Sequence, residues 1–147
     1  RSSDLASLVE LGCNSAYINK VMFETKSKEK IMLEREVYDT ITYCADGKCA
    51  IVWVTLDMLK SLNIGEDEIE GLASIPRQIE GVLIGITMKE KEGGFFKISV
   101  RTNGDIDAAK FCSKFGGGGH KAAAGCSING SLEDVRSQLI KAAEETL

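Results

Sequence analysis

The stretch "KISVRTNGDIDAAKFCSKFGGGGHKAAAG", residues 97–125, carries the strongest structural signals in the chain. Its first residues alternate between polar and apolar, which predicts a β-strand with two different faces. On that pattern Ile98 and Val100 point into a core. The opposite face carries Lys97, Ser99 and Arg101.

Four consecutive glycines, Gly116 to Gly119, come directly before His120. Without Cβ atoms the backbone can take positive φ, a requirement we expect at Gly118, and a ligand can approach it closely. Unpaired amides in such a turn bind anions. We expect His120 to start a helix, whose dipole would add to the attraction. These residues therefore predict phosphate binding, although a tight turn or a linker also explains a run of glycines.

Arg101 stands near the end of the predicted strand, and Asn103 follows it with amide donors. The planar fork of an arginine can hold two oxygens of one phosphate. A solvated strand face is the other interpretation of these polar residues.

Two hairpins are predicted around this stretch. "TITYCADGKCAIVWVT", residues 40–55, has β-branched and aromatic runs on either side of Asp46-Gly47, and it places Cys44 opposite Cys49. "EGVLIGITMKE" and "GGFFKISVRTNG" form the second hairpin, with its turn at residues 91–94. Trp53 lies among apolar residues and is predicted to belong to the core.

Helices are predicted between and around the hairpins. Residues 2–38 form a helical connector in which Asn14 and Ser27 are candidate caps. Further helices are expected over residues 56–65, over 66–75 with Pro76 ending it, over 105–115, and from Ser131 onward. The fold class is therefore α/β, with a mixed, largely hairpin-built sheet flanked by helices and an N-terminal helical connector.

The 147 residues suit one ordinary globular core, since 44% are apolar and 27% are charged. No apolar run approaches the ~20 residues of a membrane span, and no export signal is evident, so we expect a cytoplasmic protein. The formal charge of −4 argues against tight binding of duplex DNA. Residues 93–125 nevertheless hold five basic and two acidic side chains, which suits a small anionic ligand or a short strand.

Five cysteines, an odd number, indicate a reducing compartment and free thiols. A disulfide between Cys44 and Cys49 is nevertheless sterically allowed. The chain has a single histidine and no Cys-x-x-Cys motif, so no zinc site is predicted. Neither a nucleophile with a base nor a carboxylate cluster at metal-ligand spacing is evident. No catalytic residue and no metal ligand are therefore assigned to this chain.

The stretch resembles the DHH-associated domain, the C-terminal module of the Asp-His-His (RecJ-like) phosphoesterase superfamily. Its Ser-Val-Arg-Thr segment, residues 99–102, is similar to the family's Ser-x-Arg-Ser strand, and "GGGGHKAAAG", residues 116–125, to its glycine-histidine loop. The N-terminal "DLASLVELGCNSAYINKVMFETKSKEKIML" and "EIEGLASIPRQIEGVLIGI" are similar to the branch of bifunctional oligoribonucleases and pAp phosphatases.

The resemblance implies a hydrolase built from two domains. Residues 1–39 would connect to an N-terminal catalytic domain, absent from this chain, that holds a pair of Mn²⁺ or similar ions. Residues 40–147 would be the substrate-binding domain for short RNA, pAp or a dinucleotide. The implied substrate-binding residues are Ser99, Arg101, Asn103, Gly116, Gly117, Gly118, Gly119 and His120.

The chain alone is expected to bind weakly and not to hydrolyse. Its partners would be the substrate, its own catalytic domain and, through the connector helix, a second copy of the chain. The alternative function is a non-catalytic nucleic-acid-binding module such as a tRNA-binding domain, because the C-terminal part of alanyl-tRNA synthetase is similar. An Asp-His-His triplet encoded upstream would favour the enzyme.

Overall fold

The computed structural model describes residues 12, 14–20, 25–65, 69 and 71–147. Within them, six strands form one sheet in the order β1-β2-β3-β4-β6-β5. The strands are β1 (Thr42–Cys44), β2 (Cys49–Val54), β3 (Ile84–Lys91), β4 (Phe95–Thr102), β5 (Gly118–His120) and β6 (Ala123–Asn129). Only β2 and β3 pair in parallel, and the other neighbours in this sheet are antiparallel. The predicted mixed, hairpin-built sheet is confirmed.

The helices in the described part of the chain start at side-chain caps, as predicted at several positions. Asn14, Ser27, Asp107 and Ser131 each accept a hydrogen bond from the backbone amide three residues on. The helices are α1 (Ser15–Asn19), α2 (Lys28–Asp39), α3 (Leu56–Ser61), α4 (Ala108–Ser113) and α5 (Leu132–Glu144). Residues 2–11, 13 and 21–24 of the predicted helical connector lie outside the described residues.

The first hairpin turns at Asp46-Gly47 as predicted, but its loop is four residues long, from Ala45 to Lys48, instead of two. Asp46 and Gly47 have φ of 53° and 78°, and the amide of Lys48 donates to the carbonyl of Ala45 at 3.1 Å. Ala45 also has a positive φ, 50°, and the amide of Gly47 donates to the carbonyl of Cys44 at 3.2 Å, so three left-handed residues reverse the chain. Cys44 and Cys49 are nevertheless direct partners across the ladder, as predicted.

The predicted helix over residues 66–75 is not found in its described part. Leu72–Ser74 and Pro76–Gln78 form two short 3₁₀ turns, so Pro76 begins a turn instead of ending a helix. The backbone of Gly71 has φ of 95°, which an α-helix interior does not allow. Residues 66–68 and 70 lie outside the described residues.

The prediction that His120 starts a helix is wrong. His120 ends β5, and residues 121 and 122 form a tight turn into β6, which begins at Ala123. The alanine run favours a helix by intrinsic propensity, but pairing with β4 overrides that preference. The helix dipole expected at this position is therefore absent from the site.

The two faces of the sheet are covered differently. One face packs against α4 and α5, with Ile86, Ile98 and Phe111 among its fully buried side chains. The opposite face is covered over β2 by α2, α3 and the 3₁₀ turns, where Leu33 and Leu72 pack beside Val52. Trp53 is only partly buried and packs against the edge of the core on the α4 and α5 face. The prediction that it belongs to the core is therefore confirmed only in part.

Candidate substrate-binding face

The second face of the sheet continues over β4, β6 and β5, and we call this part the open face. Paired residues of neighbouring strands point to the same side of a sheet. The register therefore places on the open face Lys97, Ser99, Arg101, Gly118, His120, Ala123, Gly125 and Ser127. Each of these residues is exposed or half-buried. The predicted orientation of Lys97, Ser99 and Arg101, away from the core, is confirmed.

Arg101 and His120 lie in one row across the open face. Arg101 pairs with Ala123 of β6, and Ala123 pairs in turn with His120 of β5. Two strand spacings put the Cα atoms of Arg101 and His120 about 10 Å apart. Only the small side chain of Ala123 lies between them, so both long side chains can reach one ligand above it.

The next row along the strands contains almost no side-chain bulk. Ser99 pairs with Gly125, and Gly125 pairs with Gly118. The two glycines leave a shallow floor beside the Ser99 hydroxyl. A groove of about 500 Å³ begins at Ser99 and Gly125 and extends past Lys97, Ser127 and Phe115.

Two glycines of the run end helix α4 rather than forming a free anion-binding loop. Gly116 has φ of 72°, and its amide donates to the carbonyl of Ser113 at 3.1 Å. The amide of Gly117 donates to the carbonyl of Cys112 at 3.0 Å. These paired bonds form a Schellman motif. The prediction of unpaired amides is therefore wrong for Gly116 and Gly117.

Contacts with strand β6 exclude a side chain at two positions of the glycine run. A Cβ on Gly117 would collide with the carbonyl oxygen of Gly125, and one on Gly119 would lie 2.6 Å from the Cα of Ala124. Gly118 has ordinary φ and open space around its missing Cβ, so the positive φ predicted for it is wrong. Strand β5 lies at an edge of the sheet, so its outward backbone groups have no strand partner in the described sheet.

Asn103 acts within the protein as a tether. Its side-chain amide donates to the carbonyls of Val82, at 2.9 Å, and Arg77, at 3.3 Å. Both amide hydrogens are thus engaged, contrary to the prediction that they are available as donors to a substrate. Asn103 instead joins the end of β4 to the segment that contains Arg77.

The arginine that sequence reasoning did not single out is Arg77. Gly85 of β3 pairs with Arg101, and a Cβ on Gly85 would lie 2.7 Å from the backbone nitrogen of Arg77. The backbone of Arg77 therefore covers β3 directly beside the Arg101 row, and the Arg77 side chain is exposed there. Gly85 is the sequence feature that could have revealed this approach, because a lone glycine inside a strand often marks a place where another backbone segment comes close.

Arg101 is half-buried, and one of its guanidinium nitrogens donates to the carbonyl of Val100 at 3.2 Å. No acidic side chain is recorded as its partner among the described residues. A guanidinium has five N–H donors in a planar fork, so most of them stay available for an anion.

The described cysteines, all but Cys13, are free thiols that form two pairs. The hydrogen bond from Cys112 to Cys126, together with burial, raises the pKa of the Cys112 thiol. The hydrogen bond to Cys44 and burial raise the pKa of Cys49 in the same way. The same hydrogen bonds lower the pKa of the accepting thiols, Cys126 and Cys44. All four thiols lie in or against the core on the other face of the sheet, so they give the open face no covalent chemistry.

The part of the chain that the structure describes does not bring three His, Cys, Asp or Glu side chains together as a metal site. The divalent ions that the resemblance implies would be held by the separate catalytic domain, so we derive no chemical step through them. Across the same described residues, no helix is both long and apolar enough to span a bilayer.

The DHHA1 domain model matches residues 46–147, which is more than half of the chain. The chain belongs to the DHHA1 domain family. This DHHA1 domain is 30% identical over 83 residues to the bifunctional oligoribonuclease and PAP phosphatase NrnA of Thermus thermophilus. That alignment covers 56% of the chain but 25% of the relative.

Solved structures support the same fold for this DHHA1 domain. An exopolyphosphatase-related protein from Bacteroides fragilis matches with a TM-score of 0.81 and 23% identity, over 96% of this chain and 42% of that one. The pGpG-specific phosphodiesterase PggH of Vibrio cholerae matches with a TM-score of 0.53 and 17% identity, over 82% and 40% of the two chains. The chain thus spans less than half the length of these relatives.

Proposed function

We propose that this DHHA1 domain is the substrate-binding half of a metal-dependent phosphoesterase that acts on nucleotides or short oligonucleotides, as an oligoribonuclease or a pAp phosphatase does. The single observation that carries the proposal is the row in which Arg101 and His120 face the same side over Ala123. A guanidinium fork and an imidazole that reach one point suit a phosphate group.

In this proposal the side chains of the open face bind and orient. Arg101 holds two oxygens of a phosphate, and His120 donates a further hydrogen bond from the opposite side. Ser99 adds a hydroxyl, and the glycine floor lets the sugar-phosphate backbone lie close to the sheet. Amide donors come from the free edge of β5, since the amides of Gly116 and Gly117 are used in the helix end.

The relatives support the class of substrate. NrnA is named for oligoribonuclease and PAP phosphatase activities, and PggH for a pGpG-specific phosphodiesterase activity. Both names describe the hydrolysis of phosphoester bonds in small nucleotide substrates. We propose that the Mn²⁺ or similar ions belong to a separate catalytic domain, which would be the main partner of this one, and that a second copy of the chain is a further partner.

The proposal is tested by a binding titration and an activity assay on the 147-residue chain. Fluorescently labelled adenosine 3′,5′-bisphosphate (pAp) should bind, with an affinity that falls as salt rises. In the same buffer with Mn²⁺, the chain should release no phosphate from pAp and should not shorten an oligoribonucleotide. Absence of binding would refute the substrate-binding role, and substantial turnover would refute the assignment of catalysis to another domain.

A further inference from the structure

We propose that the groove beyond Ser99 is a second subsite, which takes the next nucleotides of an oligonucleotide through Lys97 and Phe115. The inference rests on the proposed function, because it extends the phosphate site at Arg101 and His120 along β4. It predicts that this domain distinguishes an oligonucleotide from a mononucleotide.

Lys97 supplies a cation at the far end of the groove. Its side chain is exposed on the open face, and among the described residues no acidic side chain is recorded as its ion-pair partner. Its ammonium group is therefore available to a backbone phosphate of a bound oligonucleotide.

Phe115 supplies an aromatic wall on the same groove. It is half-buried, and its ring centroid lies 6.1 Å from that of Phe111 with an interplanar angle of 49°. Its amide donates to the carbonyl of Cys112 at 3.0 Å, at the end of α4 where the Schellman motif holds the chain. Aromatic rings held in this way bind nucleobases by stacking, without regard to base identity.

The distance between the two subsites explains how the domain would distinguish long nucleotide ligands from short ones. Four residues of an extended strand put the Cα atoms of Arg101 and Lys97 about 13 Å apart. A mononucleotide bound at Arg101 is too short to fill the groove as far as Lys97. An oligonucleotide can keep one phosphate at Arg101 and place a later one at Lys97, with the intervening backbone over Ser99 and Gly125.

The test compares two probes, pAp and the 5′-phosphorylated triribonucleotide pApApA, by fluorescence anisotropy. Lys97→Gln should weaken pApApA binding about tenfold and leave pAp within about twofold. It should also reduce the slope of log K against log salt by about 0.7 for pApApA only. Lys60→Gln is the matched control, because this exposed lysine is at the end of α3, which covers β2 away from the groove.

Phe115→Leu is the second variant, and its melting curve shows whether it folds. It should weaken pApApA binding more than pAp binding. Equal losses for both probes, or no loss with Lys97→Gln, would overturn the inference. Arg101→Gln distinguishes failure of the second subsite from failure of the proposed function. If Arg101→Gln weakens binding of both probes while Lys97→Gln weakens neither, only the second subsite is wrong. If Arg101→Gln has no effect either, the proposed function itself is wrong.

Discussion

The hydroxyl of Thr102, at the end of β4, lies 3.0 Å from the carbonyl oxygen of Lys121 in the turn after His120. The same hydroxyl lies 2.9 Å from the carbonyl of Ile106, and the amide of Ala108 also donates to Lys121, at 2.8 Å. One buried hydroxyl and one helix amide thus fix the β5–β6 turn relative to β4. Since Arg101 precedes Thr102, this contact sets the position of His120 against Arg101.

Replacing Thr102 should therefore disturb both stability and binding. Thr102→Val keeps the shape of the side chain but removes the single hydroxyl donor that the carbonyls of Lys121 and Ile106 share. We expect the free energy of unfolding to fall by about 1–3 kcal/mol, with weaker pAp binding in the fraction that stays folded. Thr102→Ser retains the hydroxyl and should stay close to wild type in denaturant titrations and in pAp affinity. Equal behaviour of the two variants would contradict the role of the hydroxyl.

The glycine run should respond differently at neighbouring positions. Gly117→Ala puts a Cβ against the carbonyl of Gly125, so we expect a loss of about 1–3 kcal/mol in unfolding free energy. Gly118→Ala meets open space and should change the unfolding free energy by less than about 0.5 kcal/mol. Thermal melts of the two variants measure the difference. A strongly destabilised Gly118→Ala chain would show that the loop geometry is wrong.

Gly118→Val separates the stability of the loop from access to it. Its larger side chain would stand on the open face beside Ser99, where the proposal places the ligand. Binding of pAp should weaken severalfold while the melting temperature stays near that of wild type. Unchanged affinity in a folded Gly118→Val chain would place the ligand elsewhere.

The buried thiols predict how stability depends on pH. The folded-state pKa of Cys112 is raised above its unfolded value, while the hydrogen bond that Cys112 donates lowers the pKa of Cys126. Above pH of about 8.5 the unfolded chain releases both protons, whereas the folded chain keeps the proton of Cys112. Early loss of the Cys126 proton has the opposite sign, so the unfolding free energy should decline only above that pH. The decline, followed by urea titration in a reducing buffer, should be smaller in a Cys112→Ala/Cys126→Ala variant, and an identical decline would contradict the assignment.

Local signals in the sequence predicted local structure well. The position of the Asp46-Gly47 turn, the capped starts of α2 and α5, and the two faces of β4 each depend on residues close together in the chain. The same locality explains the error at His120. Three alanines and a lysine favour a helix on their own, and only the distant strand β4 makes them a strand.

The geometry of the site depends on contacts that no local pattern contains. The row that joins Arg101 to His120 exists because β6 lies between β4 and β5. The tether from Asn103 to Arg77 exists because the chain before β3 folds back over Gly85. The sequence indicated which residues were candidates, but the order of the strands determined which of them meet.

The most direct test of the central claim is a double-mutant cycle on Arg101 and His120, measured as the affinity of the chain for pAp. Arg101→Gln and His120→Gln should each weaken binding, while Arg136→Gln, at an arginine stacked over Trp53, should not. If both side chains hold one phosphate, the two losses are not additive, and the coupling energy exceeds about 0.5 kcal/mol. Additive losses, or no loss at either position, would contradict the account.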